Sequence, residues 1–243
     1  MPEEHAKLSP SGVARWRQCP ASPDVEAEYP STTSKAAEEG TLAHLLLESA
    51  LMMETQPIDV MAGASADGVF KDVHGEMVEL INNVYLSVLA LGGKLFIESR
   101  VNPGKLLGLG DNLMWGTADI IVALPDEKKL IVADLKFGKS RVSPKSDQLK
   151  IYAFGATDLV DYDVETFELI IYQPRLHTGK SHIMSASDMK IFADELFNDA
   201  LATMPESDPQ RVAGSACFWC RARKDCSVLN HKTATDAFSK IDF

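Results

Sequence analysis

The sequence predicts an α/β fold, a mixed central β-sheet flanked by helices. Three observations predict it. Helical stretches are read at 8–18, 34–53 and 73–91, the last with apolar residues near helical spacing. Three runs rich in β-branched and apolar residues then follow at 94–101, 116–124 and 129–137. Beyond residue 146, helical stretches alternate with further strands.

In chain order, residues 8–18 read as a short helix that Ser9 can cap, with Pro10 suited to its first position. Pro20 follows Cys19 and should end it. A polar loop is expected to about Thr33. A second helix over 34–53 carries Leu42, Leu45, Leu46 and Leu47. Residues 55–72, rich in Gly, Ala and Asp, read as a loop. A third helix over 73–91 places Val78, Ile81, Val84, Tyr85 and Val88 near helical spacing. Strands KLFIESRV, GTADIIVAL and KLIVADLKF come next, then a helix over 146–156, strands at 167–173 and 180–184, and a helix over 187–204 opened by Ser187.

The 243 residues suit a single domain across 1–243. Hydrophobic residues at 45% and charged residues at 24% are the balance of a soluble globular protein. No apolar run is long enough to cross a bilayer, and the opening MPEEHAKLSP lacks a signal-peptide layout. No membrane and a cytoplasmic location are therefore expected. The net charge of −11 argues mildly against nucleic acid. Basic residues nonetheless cluster at Arg15 and Arg17, between Lys136 and Lys150, and at Arg221, Arg223 and Lys224.

The second and third strands hold the chemistry. A hairpin symmetric about the Asp126–Glu127 bond sets Asp119 directly opposite Asp134, about 5 Å apart at Cβ. Lys136 lies two residues past Asp134, so it shares that face. Ile131, Ala133, Leu135 and Phe137 form the apolar opposite face. Facing carboxylates repel unless a cation joins them, and carboxylate and carbonyl oxygens suit Mg²⁺ or Mn²⁺. A single Asp-x-Lys is usually a solvated strand face; the opposed register and apolar flanks favour a site here.

GTAD at 116–119 followed by ADLKFG at 133–138 resembles the paired motifs of PD-(D/E)xK nucleases, in their RecB-like branch. The resemblance implies a restriction-endonuclease-like core over 34–204. It makes Asp119, Asp134 and the Leu135 carbonyl metal ligands and Lys136 the catalytic lysine. The first motif departs from Pro–Asp, since Ala118 precedes Asp119. A lone helical histidine is usually structural, but Gly40 and His44 match the branch's Gly-x-x-x-His, which implies His44 as a further ligand. Gln148 and Tyr152 share a helix face and match its Gln-x-x-x-Tyr, beside the active site. Glu98, in an apolar strand, reads equally as a further ligand or partner of Lys136 and as an exposed strand residue.

Cys217, Cys220 and Cys226 lie near the C-terminus and Cys19 far upstream. In a chain of this kind such cysteines point to metal binding or catalysis rather than disulfides; free buried thiols would leave the tight CxxC unexplained, and spacing alone leaves zinc and an iron–sulfur cluster both open. The split, Cys-x2-Cys-x5-Cys after one early cysteine, resembles iron–sulfur nucleases such as the AddB nuclease domain and CRISPR-associated RecB-like exonucleases. The resemblance implies a [4Fe–4S] cluster joining 9–20 to 214–230. Trp16, Phe218 and Trp219 would shield it, with Arg15, Arg17, Arg221 and Arg223 close to phosphate. It further implies a DNA exonuclease, with single strands preferred, in phage recombination or DNA processing. Recombination or replication proteins would be partners, and the host cytoplasm the location of a phage-encoded member. A non-catalytic DNA-binding adaptor on the same fold and a zinc-clamped nuclease are the rival readings.

Overall fold

The computed structural model describes residues 6–31, 33–64, 68, 70, 72–176 and 178–238. Its centre is a five-stranded sheet in sequential order: β1 (Lys94–Val101), β2 (Gly116–Leu124), β3 (Lys129–Leu135), β4 (Thr166–Gln173) and β5 (Thr178–Ser185). β3 and β4 run parallel while the other neighbours are antiparallel, so the sheet is mixed. α6 (Pro103–Leu106) lies between β1 and β2; the parallel pair needs a crossover, and α7 (Asp147–Ala156) lies in that connection. The sheet is flanked by helices on both faces, as expected.

One face packs on α3 (Lys35–Met52) and α5 (Gly75–Leu89). Leu46, Leu47, Met77 and Ile81 meet Ile120, Val122, Ile131, Ala133 and Leu135 there. The other face packs on α7 and α8 (Ala186–Leu201), with α1 (Val13–Gln18) at its margin. Leu149, Tyr152, Phe192 and Trp16 meet Ile121, Ala123, Leu130 and Val132. β3 is buried on both faces, which explains its nearly unbroken apolar run.

Several boundaries depart from the expectation. The supposed polar loop before Thr33 contains α2 (Ser22–Ala27), and the supposed loop at 55–72 contains α4 (Pro57–Ala64). Both carry a proline in the first turn, where the missing N–H costs nothing. β3 ends at Leu135, so Lys136 and Phe137 lie beyond it. α8 starts one residue earlier than expected, because Ser185 rather than Ser187 opens it and closes a capping box with Asp188.

The β2–β3 hairpin has the expected register, with Ile120 opposite Ala133 and Leu124 opposite Lys129. A 3₁₀ turn over Pro125–Glu127 and a left-handed Lys128 (φ 47°) close it. The ladder stops at Ile120 and Ala133, however, so Asp119 and Asp134 lie just past its last pair.

Candidate metal centre

The candidate centre begins with an irregularity shared by β1 and β2. Their ladder pairs Ile97 with Ile120 and Ser99 with Ala118, and skips the position between, Glu98 opposite Asp119. Glu98 has φ of 42°, rare for a non-glycine residue in a strand. The alternation changes phase there. Leu95 and Ile97 pack on the α3–α5 face, Phe96 on the α7 face, and Val101 again on the α7 face, where a regular strand would place residue 100. In β2, Ala118 and Ile121 likewise share the α7 face although they are three apart. A regular pleat would hold both carboxylates in the ladder; this local distortion releases them together at one spot.

His44 of α3 completes the group. The ligand atoms of His44, Glu98 and Asp119 lie within 4.8 Å of one another. His44 Nδ1 is 3.3 Å from Asp119 Oδ2, and that same oxygen accepts a 2.9 Å hydrogen bond from the Leu135 N–H. The bond ties the end of β3 to β2 where the ladder has stopped. Gly40 stands one turn before His44, and a Cβ there would meet open space.

Asp134 stands next to this group rather than in it. It is buried at 2% exposure. Lys136 Nζ lies 2.8 Å from both carboxylate oxygens. Only Oδ1 is held in hydrogen-bonding geometry, which leaves Oδ2 buried without a hydrogen-bond donor. Burial first, then the Asp119 charge, pushes the Asp134 pKa up to about 6, against the pull of Lys136 and His44.

Two further expected residues border the site from α7. Gln148 Nε2 donates to Tyr152 Oη at 3.4 Å. Burial pushes the Tyr152 hydroxyl up to about 12, and Asp134, Asp119 and Glu98 act on it in the same direction. The phenol is thus a neutral hydrogen-bonding group beside three carboxylates. Its ring fits because Gly116 has no side chain: a Cβ there would lie 2.9 Å from Tyr152 Cε1 and 3.0 Å from Pro10. The centre therefore draws on both sides of the sheet, with His44 from the α3 face and Tyr152 from the α7 face.

The residues fit a divalent cation. Two carboxylates and an imidazole converge, a third carboxylate keeps an orphaned oxygen beside them, and such an oxygen-rich set suits Mg²⁺ or Mn²⁺. The Leu135 carbonyl ends β3 at the same place.

The expected [4Fe–4S] cluster is overturned. Among the described residues, the converging set of ligand atoms is His44, Glu98 and Asp119, and no cysteine belongs to such a set. Cys19, Cys217, Cys220 and Cys226 line one cavity without their sulfur atoms forming such a set. Cys19 Sγ accepts from the Val212 N–H at 3.4 Å and Cys217 Sγ from the Gly214 N–H at 3.3 Å. Burial pushes the Cys220 thiol pKa up.

The terminal segments do meet, but through polar contacts. Gln18 Oε1 accepts from the Ala216 N–H at 3.1 Å. Buried Glu26 accepts from Arg15 Nε at 2.8 Å and from the Arg221 N–H at 2.9 Å. The supposed shield also fails in part: Trp16 is buried, whereas Phe218 and Trp219 are 64% and 68% exposed. Arg17 is engaged by Asp147 and Asp199, both at 2.6 Å, so it is a structural cation rather than one facing phosphate.

Fold and site together define a mixed α/β protein with a His/Glu/Asp group able to hold a metal ion. The family described as "Protein of unknown function (DUF2800)" matches residues 5–242, and the chain belongs to it. The solved structure described as "Crystal structure of SSO0001" is similar at 17% identity and a TM-score of 0.42, over 93% of this chain and 87% of its own. At that identity and score the likeness lends this chain no function. Among the described residues, no helix is long and apolar enough to cross a membrane.

Proposed function

We propose that the protein is a metal-dependent DNA nuclease of the PD-(D/E)xK type, built as one domain with a restriction-endonuclease-like core over 34–204. The observation that carries the reading is the convergence of His44, Glu98 and Asp119 beside the Asp134–Lys136 pair. A generic acidic patch would lie on an exposed surface. Here one carboxylate is buried with a lysine held against it, and another sits at a left-handed strand position.

His44, Glu98 and Asp119 would hold Mg²⁺ or Mn²⁺, with Asp134 Oδ2 and the Leu135 carbonyl as further donors. A bound ion of this kind polarises a phosphate and acidifies a water. Lys136, fixed by Asp134, supplies a positive charge where negative charge develops on phosphorus. Because the salt bridge holds the ammonium in place, it needs little reorganisation when substrate binds. Gln148 and the neutral Tyr152 hydroxyl offer hydrogen bonds to the substrate backbone from the α7 side.

The test is release of nucleotides from end-labelled single-stranded and duplex DNA in Mn²⁺. Wild type should degrade DNA, with Asp119→Ala and Lys136→Ala each slower by at least a hundredfold. No degradation by wild type in any divalent metal would instead support a non-catalytic DNA-binding adaptor on this fold.

A further inference from the structure

Two tryptophans stand along a groove that leads away from the metal centre. The first cavity, about 520 Å³, is lined by Glu98 and Tyr152 of the site and by Arg100 and Trp115. The Arg100 guanidinium lies 3.9 Å from the centroid of the Trp115 ring. The second cavity, about 560 Å³, is lined by Trp219 and Arg221. Ala6, Ser9 and Ser11 line both cavities, so the two adjoin.

We infer that this groove guides a single strand of DNA into the metal centre, with Trp115 and Trp219 as base-stacking platforms; the inference rests on the nuclease reading. The lining is polar and cationic as well as aromatic. Arg100 lies against a neutral ring, and Arg221 donates to the neutral Tyr29 carbonyl at 3.0 Å, so neither contact cancels the positive charge. Cations beside the half-buried Trp115 and the exposed Trp219 are what a strand of bases and phosphates requires. Trp219, 68% exposed and edge-on to Phe218 at 4.8 Å, costs apolar exposure that no internal contact explains. The strand polarity of β1 sets the order along the groove. Arg100 is two residues beyond Glu98, about 7 Å along the strand. A base on the Trp115 platform thus belongs to a nucleotide close to the one at the centre. Duplex DNA cannot use such platforms, because its bases are already stacked on one another.

The test is titration of the protein with a dT oligonucleotide and with a duplex of equal length, in Ca²⁺. The readouts are tryptophan fluorescence and fluorescence anisotropy of labelled DNA. The single strand should quench the fluorescence. Trp115→Ala and Trp219→Ala should each weaken its binding by about 5- to 100-fold, with duplex binding changed less than twofold. Trp219→Phe, at an exposed position, should keep most of the affinity. Loss that is equal for single strand and duplex, no loss in either alanine variant, or no binding of single strand by wild type would overturn the inference. Cleavage by wild type alongside unaltered binding by both alanine variants would sink the platforms and leave the nuclease standing. Selective binding loss in a protein that never cleaves would do the reverse.

Discussion

Replacing Asp134 by Asn should stabilise the metal-free protein at neutral pH while impairing the site. Asp134 is 2% exposed, and its pKa is raised from 3.8 to about 6. At about 1.4 kcal/mol per unit, ionising it in the fold costs roughly 3 kcal/mol. The sign follows from the direction of the shift. Below about pH 4 the carboxyl is neutral in folded and unfolded states, and the cost is absent. As pH rises through 6 the folded state is forced to ionise, and the cost becomes complete. Asn removes the charge, and its carbonyl can still accept from Lys136, whose side chain is 29% exposed and can be solvated. The weakened ion pair takes back part of the gain, which leaves about 1–2 kcal/mol. For a chain of this size that is a Tm rise of about 2–8 °C. The assay is thermal unfolding in EDTA at pH 7.5 and pH 4.0, with saturating Mn²⁺ as a third condition. The rise should appear at pH 7.5, largely vanish at pH 4.0, and reverse in Mn²⁺. A variant less stable than wild type at pH 7.5, or one with the same gain at both pH values, would refute the reasoning.

Other consequences are simpler. Gly116→Ala would push a methyl group against Tyr152 and Pro10, and should lower stability by about 1–3 kcal/mol, read by urea unfolding. Ser185→Ala removes the capping box of α8 and should cost about 1 kcal/mol in the same measurement. Calorimetric Mn²⁺ titrations at pH 7.5 and 5.5 should show weaker binding and greater proton release at the lower pH, because metal and proton compete for Asp134. Equal affinity at the two pH values would place Asp134 outside the metal's reach.

Much of this arrangement was legible from residues alone. The extents of β1 and β2 follow from their apolar runs, and the β2–β3 register follows from the turn chemistry of Pro125–Lys128. That register correctly brought Asp119 and Asp134 to the same end of the hairpin. It could not show that the ladder stops at Ile120, nor that Asp119 would instead accept from the Leu135 N–H. The place of Glu98 was equally hidden. Its role depends on a left-handed φ within a strand and on a skipped pair, and neither leaves a sequence signal. The helices at 22–27 and 57–64 escaped notice because, at six and eight residues, they are too short to show a period. The cysteines misled through spacing. A CxxC is a local pattern, whereas metal binding depends on where four thiols point after the termini fold together, and here they form no converging set.

The central claim is that His44, Glu98 and Asp119 form a binding site for one divalent ion. The most direct test is Mn²⁺ binding followed by electron paramagnetic resonance, through loss of the free-ion signal. Wild type should bind one Mn²⁺ per chain at this site. Glu98→Gln and His44→Ala should each weaken that binding by at least tenfold while keeping the wild-type fold by circular dichroism. Undiminished Mn²⁺ binding in both folded variants, or none in wild type, would contradict it.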